Sequence, residues 1–159
     1  MRNFENLDSI DRKILHEVQM DGRIAFIDLA NKVGLSKSPC LKRLRILEKE
    51  GYVKGYRAVL DSYKISQGYL VYVQVKLQNT NRDSLRKFNQ SVQDVKEIMS
   101  FDMMSGGYDY LLKIRTRDMY AYRELHGDVI SVLPGIAQSS SFPVMEQVKE
   151  TSLLVVEQK

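Results

Sequence analysis

A chain of 159 residues with 43% hydrophobic residues and only 3 prolines has the apolar mass for a packed core and not the composition of a disordered segment. No run approaches the roughly 18 consecutive apolar residues of a membrane span, and residues 1–6 show no basic-then-apolar secretory pattern, so a cytoplasmic protein is expected. The net charge of +4 is unevenly placed: residues 1–60 hold 12 Lys and Arg against 8 Asp and Glu, whereas residues 61–159 hold 12 against 12. The single cysteine, Cys40, excludes an intramolecular disulfide and agrees with a reducing compartment.

Leu7, Ile10, Ile14, Leu15 and Val18 recur at helical spacing. Asp8, with Asp11 three residues on, supplies acceptors for the start of this helix, and Asp21-Gly22 stops it. A second, short helix carries Phe26, Leu29, Ala30 and Val33 on one face, lacks a Ser or Thr cap, and breaks at Gly34. Ser36 is placed to cap a third helix that runs to about Glu50, with Pro39 tolerated in a first turn whose amides have no intrahelical partner. The inner face of that helix is Cys40, Leu44 and Leu47, with Leu41 alongside, which leaves Lys42, Arg43, Arg45 and Lys49 largely outside. Two helices joined by the three-residue turn Gly34-Leu35-Ser36, the second of them basic, have the spacing of a helix-turn-helix. From Lys37 to Arg57, 7 Lys and Arg face only 2 Glu, a surplus that suits a polyanion. Tyr52 to Leu60 alternates apolar and polar residues as a short strand or wing does. Cys40 reads as a small buried hydrophobe rather than a redox switch.

Residues 61–68 (DSYKISQG) read as a connector, after which the periodicity changes. Tyr69 to Leu77 alternates strictly, with Val71, Val73, Val75 and Leu77 on one side and Tyr72, Gln74 and Lys76 on the other. An amphipathic helix with Leu85, Phe88 and Val92 follows. Two strand-like runs, Val95 to Ser105 and Tyr108 to Arg115, meet at Gly106-Gly107, a pair suited to a tight hairpin turn. Asp118 caps a further helix with Tyr122, Leu125, Val129 and Leu133. Pro134-Gly135 ends it, and Ile136 to Val148 is a last strand. The order β-α-β-β-α-β is that of a ferredoxin-like domain, an antiparallel sheet with both helices on one face, so the chain as a whole is α+β.

In this order and spacing, LDSIDRKIL (Leu7 to Leu15), DGR (Asp21 to Arg23), LANKVGLSKSPCLKRLRILEKEGYVKGY (Leu29 to Tyr56), SGGYDYLLK (Ser105 to Lys113), LPG (Leu133 to Gly135) and VMEQVKET (Val144 to Thr151) resemble the Lrp/AsnC family of feast-or-famine regulators, and the fourth and last are most similar to its leucine-responsive branch. The resemblance covers nearly the whole chain. It implies a winged helix-turn-helix DNA-binding domain over 1–60, a linker over 61–68, and a βαββαβ domain of the RAM type over 69–159 that senses an effector and builds oligomers. It also implies homodimers that pair their sheets and associate further into octamers. The expected arrangement leaves one sheet face bare of helices, and the apolar alternations are expected to line it and be covered by a partner's sheet.

On this reading Ser36, Lys37, Ser38 and Pro39 present the start of the third helix to the major groove of double-stranded DNA, while Lys42, Arg43, Arg45 and Lys49 reach bases and phosphates. Gly106, Gly107, Tyr108 and Asp109 resemble the family's effector loop. Glycines there let backbone amides approach an amino acid's carboxylate, and Asp109 accepts from its ammonium group. By position in the matching motifs, Met103, Asp109, Met119, Phe142 and Val144 correspond to places where the leucine-responsive branch shapes its response; Ser140 shares strand parity with Phe142 and Val144. Pro143 replaces an aliphatic residue usual in that branch, and Met103 and Met104 are softer than its usual aliphatics, which points to a different or broader set of side chains. Leucine, methionine or another apolar amino acid is the expected effector. His16 and His126 stand without ligand or triad partners, no phosphate-binding glycine motif occurs, and neither a metal, a cofactor nor catalysis is expected. The alternatives are a ligand-independent architectural DNA-binding protein and a regulatory module of an amino-acid-metabolism enzyme.

Overall fold

The computed structural model describes residues 7–157; residues 1–6, whose lack of a secretory pattern was noted above, and residues 158–159 lie outside the described residues. The described chain divides into two units, residues 7–59 with 149–157, and residues 60–148. The sequence predicts a separate linker over 61–68 and a second domain over 69–159. The structure instead places the connector in the second unit and returns the tail to the first.

The first unit consists of α1 (Ser9–Met20), α2 (Phe26–Val33) and α3 (Lys37–Lys49) with the tail. Asp8 caps α1, its Oδ1 accepting from the Asp11 amide at 2.8 Å. Nothing caps α2 through a side chain, and it ends on Gly34 at φ 72°, a left-handed position that glycine takes without steric cost. Ile14 and Val18 of α1, Leu29, Ala30 and Val33 of α2, and Cys40, Leu44 and Leu47 of α3 form one buried cluster together with Leu7. Fully burying each of the larger aliphatics contributes about 1.5–3 kcal/mol. The expected strand over 52–60 does not form, because alternation does not make a strand without a hydrogen-bonding partner. Tyr56 fixes that segment instead: its hydroxyl donates to Glu48 Oε1 at 2.9 Å, and its ring lies where a Cβ on Gly22 would come within 3.0 Å.

The tail is held by α1. The Gln19 side chain donates to the Leu154 carbonyl at 2.8 Å and accepts from the Leu154 amide at 3.0 Å, and the buried Arg12 donates to the Glu157 carbonyl at 3.4 Å.

The second unit has β1 (Tyr69–Leu77), α4 (Arg82–Gln93), β2 (Ile98–Met103), β3 (Tyr110–Thr116), α5 (Met119–Asp128), a 3-10 turn over Ile130–Val132, and β4 (Ile136–Pro143). The sheet order is β2-β3-β1-β4 with every pair antiparallel, the ferredoxin-like arrangement. Asn81 and Asp118 cap α4 and α5. Val71, Val73, Val75 and Leu77 pack with Tyr110, Leu112 and Ile114 against Phe88 and Val92 of α4 and Tyr122 of α5. The apolar alternation therefore faces the helices, which corrects the expectation that it lines the open face. Paired residues share a face, so register puts Asp102, Leu111, Gln74 and Ser140 in one row of the open face and Ser100, Lys113, Tyr72 and Phe142 in the next. On the same side, buried Arg115 donates to Ser62 Oγ at 3.1 Å and to Gln147 Oε1 at 2.6 Å, and so ties the connector and the segment after β4 to the sheet.

Gln19→Ala removes both side-chain bonds to Leu154. Faster hydrogen exchange at the Leu154 amide is expected, with the β1 amides unchanged; unaltered protection at Leu154 would show that the tail is held by other means.

Candidate nucleic-acid interface and ligand loop

Helix α3 starts at Ser36, whose backbone is extended (φ −76°, ψ 161°) and whose side chain makes no capping bond, contrary to the capping role expected of it. Ser36, Lys37, Ser38 and Pro39 are all exposed, so the first turn offers its hydroxyls, its lysine and the amides of Lys37 and Ser38 to the outside. Lys42, Arg45 and Lys49 are exposed and share the helix side opposite Cys40, Leu44 and Leu47. Fixed backbone dipoles at the first turn and a column of cations above it form a surface suited to phosphate oxygens and base acceptors. Cys40 is 1% exposed, and burial pushes its thiol up, as befits a packing residue.

Arg43 is placed differently from the other cations. Its Nη1 lies 2.6 Å from Asp8 Oδ2 and 2.8 Å from Asp11 Oδ1. Its hydrogen bonds to the carboxylates of Asp11 and Asp8 push the guanidinium up. Burial would raise the Asp8 carboxyl, but the Asp11 amide and Arg43 together hold it below the usual carboxylate range. The signal was available in the sequence: at ~100° per residue, Arg43 falls only about 40° from Leu47 around the helix axis, beside the buried stripe. At the far end of α3, burial and the bond to Glu48 push the Tyr56 hydroxyl up to about 12.

In the second unit, residues 104–109 connect β2 and β3 as a longer loop rather than the expected two-residue hairpin turn. Neither Gly106 nor Gly107 has positive φ, and a Cβ on either meets nothing within 4 Å. The loop closes through Asp109, whose amide donates to the Val75 carbonyl at 2.9 Å and whose carbonyl accepts from the Met104 amide at 2.8 Å. The last β1/β3 pair is Val75 with Tyr110, and beyond it Asp109 Oδ2 accepts from the Leu77 amide at 2.7 Å. Asp109 Oδ1 faces Lys76 Nζ at 4.0 Å. One carboxylate oxygen thus completes the end of β1, beside the bulge at Lys76/Leu77, and the other lies toward an exposed cation.

The remaining ligand candidates do not all gather at this loop. Met103 pairs with Tyr110 at the loop end of the sheet, together with Gly106, Gly107, Tyr108 and Asp109. Met119 follows β3 at the opposite end, near which the Val144 amide donates to the Leu70 carbonyl, while Phe142, paired with Tyr72 and so level with Lys113, stands at mid-sheet. Ser140 lies between, paired with Gln74. The length of β3, at ~3.3 Å per residue about 20 Å from end to end, separates Met119 from the loop, and Ser140 and Phe142 fall along the way. Met103, Met119 and Phe142 are 61%, 69% and 48% exposed, and the clefts of about 620 Å³ over α4 and about 490 Å³ beside α3 are lined by none of these residues.

A family model described as Lrp/AsnC ligand binding domain matches residues 70–154, and one described as winged helix-turn-helix DNA-binding matches residues 7–54. The leucine-responsive regulatory protein of Klebsiella pneumoniae is 43% identical over 152 residues, covering 96% of this chain and 93% of that protein. Among solved structures, an AsnC family transcriptional regulator from Agrobacterium tumefaciens is similar with TM-score 0.89 at 36% identity, covering 94% of this chain and 97% of its own. A transcriptional regulator from Neisseria meningitidis in complex with L-Met also has TM-score 0.89, at 33% identity, covering 94% and 96%.

Replacing Asp109 by Ala leaves the Leu77 amide without its acceptor, so a loss of about 1–2 kcal/mol in urea unfolding is expected with no amino acid present. Unchanged stability would limit Asp109 to ligand contact.

Proposed function

Because the chain belongs to the Lrp/AsnC family, we propose that it is a sequence-specific DNA-binding transcription regulator whose DNA affinity or assembly is set by an apolar amino acid, leucine or methionine first. The observation that carries this reading is an exposed basic row on the second helix of a helix-turn-helix, in a chain that also contains the family's ligand-binding domain. Ser36, Lys37, Ser38 and Pro39 bring the start of α3 to the major groove, and Lys42, Arg45 and Lys49 contact phosphates and base edges. The relatives are named as transcriptional regulators, which supports a regulator rather than an enzyme and a cytoplasmic place of work. No helix among the described residues is long and apolar enough to cross a membrane.

For the effector, the spread of candidates along the sheet supports a site shared between two copies. Met103, Gly106, Gly107, Tyr108 and Asp109 of one copy meet Met119, Ser140, Phe142 and Val144 of another. An isologous contact makes two such sites at once. The Gly106 and Gly107 amides bind the carboxylate, Asp109 Oδ1 the ammonium, and the thioethers the side chain. The uncovered sheet face, with Tyr72, Leu111 and Phe142 among its charged and polar residues, supports a homodimer, and further association into an octamer multiplies the α3 helices that engage DNA together. L-methionine is favoured because the Neisseria relative is in complex with it, and leucine because the Klebsiella relative is leucine-responsive by name.

A thermal-shift screen of the twenty amino acids tests the sensing half. Mass action gives roughly 2.7 kcal/mol of stabilisation at a hundredfold excess over Kd, and no shift with any of them would leave a ligand-independent architectural protein. For the DNA half, Arg45→Ala is expected to reduce the slope of log affinity against log salt by about 0.9 per lost phosphate contact, and a slope equal to the wild type's would remove Arg45 from the phosphate contacts.

A further inference from the structure

We infer that Arg43 is a positioning residue, which fixes α3 against the start of α1 through Asp8 and Asp11 and does not itself contact DNA. This rests on reading α3 as the DNA-reading helix.

Charge does not separate Arg43 from its neighbours on α3, but burial and bonding do: it is half-buried where Lys42, Arg45 and Lys49 are exposed. A single nitrogen, Nη1, bridges two carboxylates, at 2.6 Å to Asp8 and 2.8 Å to Asp11. Asp11 is 4% exposed, so its carboxylate depends on a partner inside the unit. The second oxygen of Asp8 caps α1 through the Asp11 amide at 2.8 Å. Cap, carboxylates and guanidinium thus form one closed network, with the first turn of α1 at one end and the second turn of α3 at the other. The flank where they meet is an open cleft of about 490 Å³, with Pro39, Lys42 and Ile46 on its α3 side. Cys40, Leu44 and Leu47 hold α3 to the core along one stripe, and the ion pairs govern rotation about that stripe.

The arrangement also protects the DNA face. Two carboxylates stand beside a helix that must approach phosphates, and Arg43 offsets part of their charge where they lie. If the guanidinium swung out to DNA, Asp11 would be left as a buried, unpaired carboxylate, an arrangement more costly than losing both partners together. The same asymmetry supplies a test, because removing the second partner relieves what removing the first creates.

The wild-type protein is used to select a preferred duplex in vitro, and affinity for that duplex and for a random duplex is measured over a range of salt. Arg43→Met is expected to lower the preferred-to-random ratio about tenfold with the salt slope unchanged, and adding Asp11→Asn to recover it to within about threefold. Arg43→Lys, which keeps a cation within reach of both carboxylates, is expected to retain the ratio. Asp11→Asn by itself is expected to lower the ratio without steepening the slope, which carries the test even if Arg43→Met fails to fold. A direct DNA contact gives the opposite pattern: Arg43→Met flattens the slope by about 0.9, Asp11→Asn does not restore the ratio, and Asp11→Asn on its own steepens the slope by freeing the guanidinium. Any of these three results overturns the inference. No salt-dependent DNA binding by the wild type would instead overturn the function proposed above.

Discussion

A four-stranded sheet whose helices all lie on one side commits every second residue of its strands to that side, and the rest of the second unit follows from this. Val71, Val73, Val75 and Leu77 are used up against α4 and α5, so the open face takes Tyr72, Gln74 and Lys76, with Lys113, Arg115 and Ser140 from neighbouring strands. Such a face is largely polar, with Tyr72, Gln74 and Ser140 half-buried in it. Its two ends differ in chemistry. One has a loop closed by a carboxylate beside exposed Met103 and Met104, and past the other stands exposed Met119.

In the first unit, polar contacts at both ends of α1 supplement a small apolar core. At the N-terminal end the carboxylates of Asp8 and Asp11 hold Arg43 of α3; at the C-terminal end the amide of Gln19 holds the backbone of Leu154. The chain therefore passes between the units twice, once after residue 59 and once after residue 148, and the second crossing begins five residues beyond Pro143, the end of β4. Phe142 and Val144, candidates for ligand contact, stand just before that crossing.

Much of this was legible in the sequence, for reasons that differ between elements. Strict alternation gave β1 its bounds, Tyr69 to Leu77, and the side-chain acceptors of Asp8 and Asp118 gave α1 and α5 their starts. The three-residue turn before α3 was legible because Gly34 takes a left-handed conformation that few residues share. Alternation overreached where no partner strand exists, over 52–60 and beyond Pro143. Gly106-Gly107 suggested a tight turn, but Asp109 closes a longer loop by a side-chain bond that no local pattern encodes. The charge of Arg43 resembles that of the exposed cations of α3, and only its angle around the helix sets it apart, because its acidic partners lie more than thirty residues earlier. The docking of the tail on Gln19 and the role of Arg115 in holding the connector depend on contacts equally remote in sequence.

The claim that one chain couples an amino acid to DNA is tested most directly by linkage. Calorimetric titration of L-methionine, and of L-leucine, into the free protein and into the protein saturated with its preferred duplex yields two affinities for each. Coupling requires that they differ by at least about fivefold, and that the same factor separate the DNA affinities measured with and without the amino acid. Equal affinities for a ligand that binds well in both states would show that the two units work independently, and would contradict the account.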